Sequence, residues 1–235
     1  MVRLLKLTKR LGLIASYIDK GAAVIDIGTD HGMLPIYLAQ NGHARRIIAT
    51  DINDGPLSAA HRNAAEYNVR DKIKFVLTPG LCGIGEDEAD TVVIAGMGGE
   101  NIAEIIDDAP WLKSRGMRLI LQPQTKVGEL CRRLSAGGYI IRDAALAYEG
   151  GRFYIVILAF GGEYSAHEAF ADDDAAEIAL YSLLAAKRDA HIISFLDGLI
   201  SKTQRIAAES ANSEAGERFE KKLRELQDLK KEAEL

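Results

Sequence analysis

Five short apolar runs, each followed by a helical or mixed segment, constrain the fold more than any other feature. The runs are "AAVIDIG", "RRIIATDI", "KIKFVL", "DTVVIAG" and "RLILQP". Strands that alternate with helices need crossover connections, so the pattern predicts a parallel sheet with helices on both faces. After "SAGGY", two longer strand-like runs are joined by Gly150 and Gly151, which predicts a hairpin.

A closing hairpin differs from a plain dinucleotide-binding domain, which adds a sixth strand–helix unit instead. By fold analogy, the pattern is typical of Rossmann-like class I methyltransferases. We therefore predict an α/β fold with a mainly parallel seven-stranded sheet over residues 1–162.

Residues 163–235 differ in composition and form a predicted second domain. Apolar residues recur there at three-to-four spacing up to "NSEAG", and again in "ERFEKKLRELQDLKKEAEL". Two long helices with a short break predict an antiparallel hairpin that packs like a coiled coil. Its role is open between recognition of a partner, stabilisation of the first domain and pairing of subunits.

Composition excludes several classes of protein. No run approaches eighteen consecutive apolar residues, and the N-terminus lacks the apolar core of a signal peptide, so we expect no membrane association. Cys82 and Cys131 are far apart and outside any CxxC pair, which argues against a zinc site and favours a reducing cytoplasm.

The net charge of −5 is unevenly distributed. Residues 1–162 hold 19 Lys/Arg and 18 Asp/Glu, whereas residues 163–235 hold 10 and 16. Four of the first ten residues are basic, namely Arg3, Lys6, Lys9 and Arg10. They are either a nucleic-acid-binding patch or an ordinary solvated helix face.

The loop after the first strand, "VIDIGTDHG", indicates which ligand the sheet holds. A nicotinamide site needs G-x-G-x-x-G, but Asp30 occupies the second glycine position and would repel a pyrophosphate. S-adenosylmethionine has no phosphate, and Asp26 can face its ammonium while Gly28 admits the backbone closely. Asp51 ends the second strand, where an acid usually binds ribose hydroxyls. The small residues of "AGMGG", Ala95 to Gly99, leave room for a substrate base.

The stretches "LTKRLGLIASYIDKGAAVIDIGTDHGMLP", "ATDINDGPLSAA", "VVIAGMGG" and "RLILQPQ" resemble the bacterial TrmK family. Members methylate N1 of the adenine at tRNA position 22 with S-adenosylmethionine. The resemblance runs from about residue 6 to the end and implies tRNA as partner, no metal, and a monomer or weak oligomer. It implies cofactor contacts from Arg10, Asp26, Gly28, Thr29, Asp30, His31, Asp51, Ile52, Gly80, Leu81, Ala95, Gly96, Met97 and Gly98. It implies RNA contacts from Lys6, Lys9, Arg10, Gln122 and Pro123.

Two departures from the family pattern matter. The chain has Thr78-Pro79-Gly80-Leu81 where members commonly have Gly-Asp-Gly-Leu, so the acid near the cofactor's adenine is missing. It also has Gln124 where members have Asn, which puts that residue in doubt as a substrate contact.

No Ser/His/Asp array is required, because adenine N1 already has a lone pair and methyl transfer depends mainly on positioning. Asp30 is the candidate to stabilise the cationic product base, with the carbonyls of Ala95 and Gly96 in support; otherwise it caps the next helix. His31 either touches the cofactor or only packs. Met97 either packs on the target base or fills space.

Two other functions remain open on the sequence. One is a methyltransferase for another RNA or a small molecule, and the other is an inactive tRNA-binding scaffold. The intact Asp26, Gly28 and Asp51 argue against the scaffold, since an inactive pocket has no chemical reason to keep all three.

Overall fold

The computed structural model describes residues 4–162, 169–210 and 213–235. Its centre is a seven-stranded sheet in the order β3-β2-β1-β4-β5-β7-β6. The strands are β1 Ala22–Ile27, β2 Ala44–Asp51, β3 Lys74–Leu77, β4 Thr91–Gly98, β5 Arg118–Thr125, β6 Ile140–Glu149 and β7 Arg152–Phe160. The first five are parallel, and β7 runs antiparallel to both β5 and β6. The predicted sheet and its closing hairpin are confirmed.

Helices connect the strands and continue after the sheet. Those of the first part are α1 Lys9–Ser16, α2 Met33–Gln40, α3 Asp54–Glu66, α4 Gly99–Asp107, α5 Trp111–Ser114 and α6 Val127–Ala136, with a short 3₁₀ helix at Arg70–Lys72. Those of the last part are α7 Asp173–Ala186, α8 Ile192–Glu209 and α9 Glu214–Glu234. No helix within the described ranges is long and apolar enough to cross a membrane.

The sheet has a hydrophobic core on each face. Strand β1 is buried throughout, and its side chains alternate between the cores, as a pleated strand requires. Ile25 and Ile27 join the core under α4 and α6, while Val24 joins the core under α1 and α2. Burial on both faces fixes the register of β1, and therefore fixes where its last residues emerge.

The helices after Gly162 correct one expectation. The first long helix predicted there is two helices, because α7 ends before Lys187 and Arg188 takes a left-handed φ of 50°. The break predicted at "NSEAG" falls close to the interval between α8 and α9, but α9 begins at Glu214, so the last three of these residues are helical. Helix α7 packs on α6, and α8 packs along α9.

The core under α4 and α6 continues into these last helices. Leu180 of α7, Phe195 of α8 and Leu226 of α9 are buried in it together with Leu130 of α6. Residues 163–168 lie outside the described residues, so the domain boundary after residue 162 stays a prediction.

Candidate functional site

A cavity of about 740 Å³ opens at the carboxyl ends of β1, β2 and β4. The chain order of the strands reverses between β1 and β4, and ligands of open α/β sheets bind in the crevice at such a point. Twelve predicted residues line the cavity: Arg10, Asp26, Gly28, Thr29, Asp30, His31, Asp51, Ile52, Gly80, Ala95, Gly96 and Met97.

Asp26 is a buried carboxylate at the floor of this cavity and is only 6% exposed. Thr29 Oγ1 donates a hydrogen bond to Asp26 Oδ2 at 2.7 Å. Burial raises the pKa of Asp26 to about 7. The hydrogen bond from the Thr29 hydroxyl lowers this pKa, and the negative charge of Asp51 raises it. No cation within the described residues pairs with Asp26. A ligand cation would supply the missing charge.

Gly28 and Met97 are in close contact at the cavity wall. Gly28 has a φ of 71°, and a Cβ there would lie 2.2 Å from Met97 Cε. The Met97 side chain therefore covers the backbone of the first loop, where its other side packs on the hydrophobic core. This contact supports a packing role and leaves Met97 at the cavity wall.

Asp30 and His31 lie at the rim with mostly exposed side chains, and His31 Nε2 is 3.8 Å from Asp30 Oδ1. Asp30 does not cap α2, because the N-cap is Gly32 and no side chain bonds the first turn. The alternative that Asp30 is a helix cap is wrong. Asp30 has a left-handed φ of 48°, and its exposed side chain lines the cavity, where a ligand can reach it.

Arg10 reaches into the cavity from α1 and is held on three sides. Its Nη1 donates to Gln122 Oε1 at 2.8 Å, and its backbone N–H donates to Glu149 Oε2 at 3.0 Å. The guanidinium carbon lies 5.5 Å from the ring centre of Tyr154. A Cβ on Gly96 would lie 3.6 Å from Arg10 Nη1, so the guanidinium borders the "AGMGG" loop, as the resemblance implied.

Two predicted cofactor contacts, Leu81 and Gly98, and two predicted RNA contacts on β5, Gln122 and Pro123, do not line the cavity. Leu81 is 7% exposed and its side chain belongs to the core, so a cofactor contact from this residue stays a prediction. Gly98 faces the side chains of Glu100 and Thr125. Gln122 and Pro123 are buried, and Gln122 accepts a hydrogen bond from Arg10, so the contact of this pair with RNA stays a prediction.

The sequence reasoning missed one wall of the cavity. Helix α4 contributes Asn101, Glu104 and Ile105, and Asp108 follows at its end. Three-to-four spacing on a helix could have placed these on one face, but nothing local showed that the face turns to the ligand. Gln124, which the sequence left in doubt, also lines the cavity. The remaining missed residues are Leu11, Ile27, Met33, Leu34, Asn53, Pro56, Thr78 and Pro79.

Lys6 and Lys9 are exposed and lie outside the cavity. Neither has a carboxylate oxygen within 4.0 Å among the described residues, and Arg3 falls outside those residues. In the same described part of the chain, no group of three or more His, Cys, Asp or Glu residues could hold a metal ion.

Known proteins share this architecture. Residues 7–157 match the family model for a methyltransferase domain. The tRNA (adenine(22)-N(1))-methyltransferase of Bacillus subtilis is 33% identical over 225 residues, which are 95% of this chain and 94% of that protein. The chain belongs to the TrmK family.

Two solved structures match along nearly the whole chain. TrmK of M. capricolum, in complex with S-adenosyl-homocysteine, has a TM-score of 0.79 at 26% identity and covers 97% of this chain and 99% of that one. A Streptococcus pneumoniae protein in complex with S-adenosyl-L-methionine has a TM-score of 0.82 at 26% identity, covering 96% and 100%. The last helices of this TrmK chain are therefore part of the shared fold.

Asp51→Ala in this TrmK chain is expected to weaken S-adenosylmethionine binding about tenfold to over a hundredfold. Asp51 is 8% exposed at the cavity, and hydrogen bonds to a charged group contribute roughly 1.5–3 kcal/mol. Calorimetric titration measures the change. Asp54→Ala, which removes a carboxylate just outside the cavity lining, is the matched control. An unchanged dissociation constant for Asp51→Ala would exclude Asp51 from the cofactor site.

Proposed function

We propose that this chain transfers a methyl group from S-adenosylmethionine to N1 of adenine 22 in tRNA. The observation that carries the proposal is a cavity with two buried carboxylates, Asp26 and Asp51, in a chain that matches a tRNA (adenine(22)-N(1))-methyltransferase over 95% of its length. We also propose that the enzyme acts in the cytoplasm as a monomer or weak oligomer.

The cavity residues fit S-adenosylmethionine. Asp26 is a buried acid with no paired cation among the described residues, which suits the ligand's ammonium, and Asp51 is suited to hydroxyl donors of a ribose. A carboxylate at Asp30 is unfavourable for a dinucleotide's phosphates, which this cofactor lacks. The family's acid is absent at Pro79. Two other acids, Glu104 and Asp108, line the same cavity.

The residues act by positioning and by charge. When bound, S-adenosylmethionine supplies a methyl group on a positively charged sulfur. No general base is needed from the chain, because adenine N1 carries a lone pair. Asp30 stabilises the positive charge that develops on the ring, aided by the carbonyls of Ala95 and Gly96. Met97 fixes the width of the cavity beside Gly28.

Methylation of transcribed tRNA tests the proposal. The wild-type protein is incubated with radiolabelled S-adenosylmethionine and tRNA transcripts that carry either adenine or guanine at position 22. Label should enter only the adenine transcript. Label in both would indicate another RNA target. Cofactor binding without label in either would favour a scaffold or a different substrate.

The exposed N-terminal lysines are proposed to contact the tRNA backbone. Replacing Lys6 and Lys9 by Gln should weaken tRNA binding and reduce the slope of log affinity against log salt by about 1 per lost contact. Arg10 stays unchanged because it lies in the cavity. Filter binding at several salt concentrations measures the slope. A wild-type slope would mean that the two lysines only form a solvated face.

We further propose that residues 163–235 form a distinct helical domain in which α8 and α9 make a coiled-coil hairpin. Folded RNA is commonly recognised by shape, and a rigid pair of helices beside the cavity suits that role. The packing of α8 along α9 supports the hairpin. The shared core with the sheet supports an additional stabilising role.

A further inference from the structure

A second cavity, of about 310 Å³, adjoins the first at Gln124, whose side chain lines both. It lies between the end of β5, strand β7 and helices α7, α8 and α9. Its volume is at the small end of the range for ligand pockets. Because one residue separates the two spaces, a polymer whose reactive base occupies the first cavity passes close to the second.

Aromatic rings form one side of the second cavity. Phe153 and Phe195 meet edge to face with ring centres 5.6 Å apart, and Tyr181 continues the cluster at 5.4 Å from Phe195. Phe219 of α9 lines the cavity as well, and both Phe153 and Phe219 are only partly buried. The guanidinium carbon of Arg218 lies 5.9 Å from the centre of the Phe219 ring. Partly exposed aromatic rings are suitable surfaces for stacking a base.

The charge at this cavity is positive. Lys126 and Lys202 are exposed at its edge, and Lys202 has no carboxylate oxygen within 4.0 Å among the described residues. The acid of the lining, Glu177, forms an ion pair with Lys222, which also pairs with Asp174 at 2.7 Å. Arg218 also pairs with Asp174, so these two acids are balanced by two basic side chains. Lys126 is 3.8 Å from Glu129, whereas Lys202 presents a charge that suits a phosphate.

We propose that the second cavity binds the nucleotide that adjoins the target adenine in tRNA, with its base on Phe219 and its phosphate at Lys202. The proposal rests on the proposed function. A base that enters a catalytic cavity must leave its stack, and its neighbour then loses a stacking partner. The aromatic cavity replaces that partner and holds the strand in register with Arg10 and Gln124.

Phe219→Leu and an altered RNA test the stacking together. The variant keeps an apolar side chain but removes the aromatic face, whereas Phe219→Tyr keeps that face. On intact tRNA, Phe219→Leu should lower kcat/KM about fivefold or more, and Phe219→Tyr should stay near wild type. On transcripts with an abasic residue at position 21 or at position 23, one of the two should lower wild-type activity. With that transcript, Phe219→Leu should cause no further loss.

Lys202→Gln tests the phosphate contact, with Arg205→Gln as control. Both residues are exposed on α8 and both changes remove one positive charge, but Arg205 does not line the cavity. Lys202→Gln should raise KM for tRNA at least threefold more than Arg205→Gln does. S-adenosylmethionine affinity, measured by calorimetry, should remain wild type in every variant, which shows that the cofactor site is folded.

The outcomes separate the two proposals. If wild-type protein fails to methylate adenine 22, the proposed function is wrong. If wild type is active but Phe219→Leu matches it on intact tRNA, the second cavity does not bind the neighbouring nucleotide. Equal losses for Phe219→Leu on intact tRNA and on both abasic transcripts would also overturn the inference, since the effect would then be independent of the base.

Discussion

Asp26→Asn is expected to stabilise the cofactor-free protein at pH 8 and to weaken S-adenosylmethionine binding by more than a hundredfold. Burial raises the pKa of Asp26 from 3.8 to about 7, so ionising it in the folded protein costs on the order of 4 kcal/mol. The amide removes this cost. It also removes the buried charge that faces the ligand's ammonium, and loss of one partner of a buried ion pair costs about 3–5 kcal/mol.

The sign of the pH dependence follows from the raised pKa of Asp26. Between pH 3.8 and about 7 the folded state holds a proton that the unfolded state has lost, so this residue's contribution to stability falls as pH rises through that range. The advantage of Asp26→Asn should therefore be full above pH 7 and absent near pH 4. Cofactor binding to wild type should weaken as pH falls below 7, because the proton must first leave Asp26.

Thermal unfolding and calorimetry at several pH values check both effects. At about 2–4 °C per kcal/mol for a chain of this size, the melting temperature at pH 8 should rise by several degrees. Asp71→Asn, at a side chain that is 94% exposed, should change neither property. An unaltered cofactor affinity in Asp26→Asn would show that Asp26 does not face the ammonium.

Gly128→Ala is expected to destabilise the protein by about 1–3 kcal/mol or more through a clash between two helices. A Cβ at Gly128 of α6 would lie 2.3 Å from the backbone oxygen of Asp173, at the start of α7. Backbone atoms cannot move aside like a flexible side chain, so α7 must shift away from α6. The shift would also disturb the packing of Leu180 in the core.

Gly198→Ala is the matched control, because Gly198 also lies inside a helix but nothing lies within 4 Å of its added Cβ. That change should raise stability by up to about 1 kcal/mol, since alanine favours a helix more than glycine does. Urea unfolding measures both variants. A Gly128→Ala protein as stable as wild type would mean that α6 and α7 are not in close contact.

Three of the predicted residues that line the cavity share one property. Asp26, Gly28 and Asp51 lie at the ends of strands that are buried and easily recognised. In a parallel sheet the carboxyl ends of the strands lie at the same edge. Recognising each strand in the sequence is therefore enough to place these residues together. The hairpin of β6 and β7 was equally local, because Gly150 and Gly151 mark its turn.

The features that were missed depend on tertiary structure. The pairing of β4 with β5 has register shifts at Met97. Because these shifts interrupt the regular alternation of side chains, the sequence of β5 alone does not show that Gln124, and not Gln122, lines the cavity. The break between α7 and α8 occurs at Arg188, which is not a typical helix-ending residue. Burial of Leu81 likewise depends on the packing of distant segments.

The two cores of the sheet are completed at different times during synthesis. The core under α1 and α2 uses residues from Ile14 to Leu158, whereas the core under α4 and α6 needs Leu226 and Leu229 of the final helix. A nascent chain that emerges from the ribosome can therefore close one face of its sheet while the other still lacks its cover. Apolar surface exposed at that stage is prone to aggregation, so the packing of α9 determines when this surface is covered in a newly made chain.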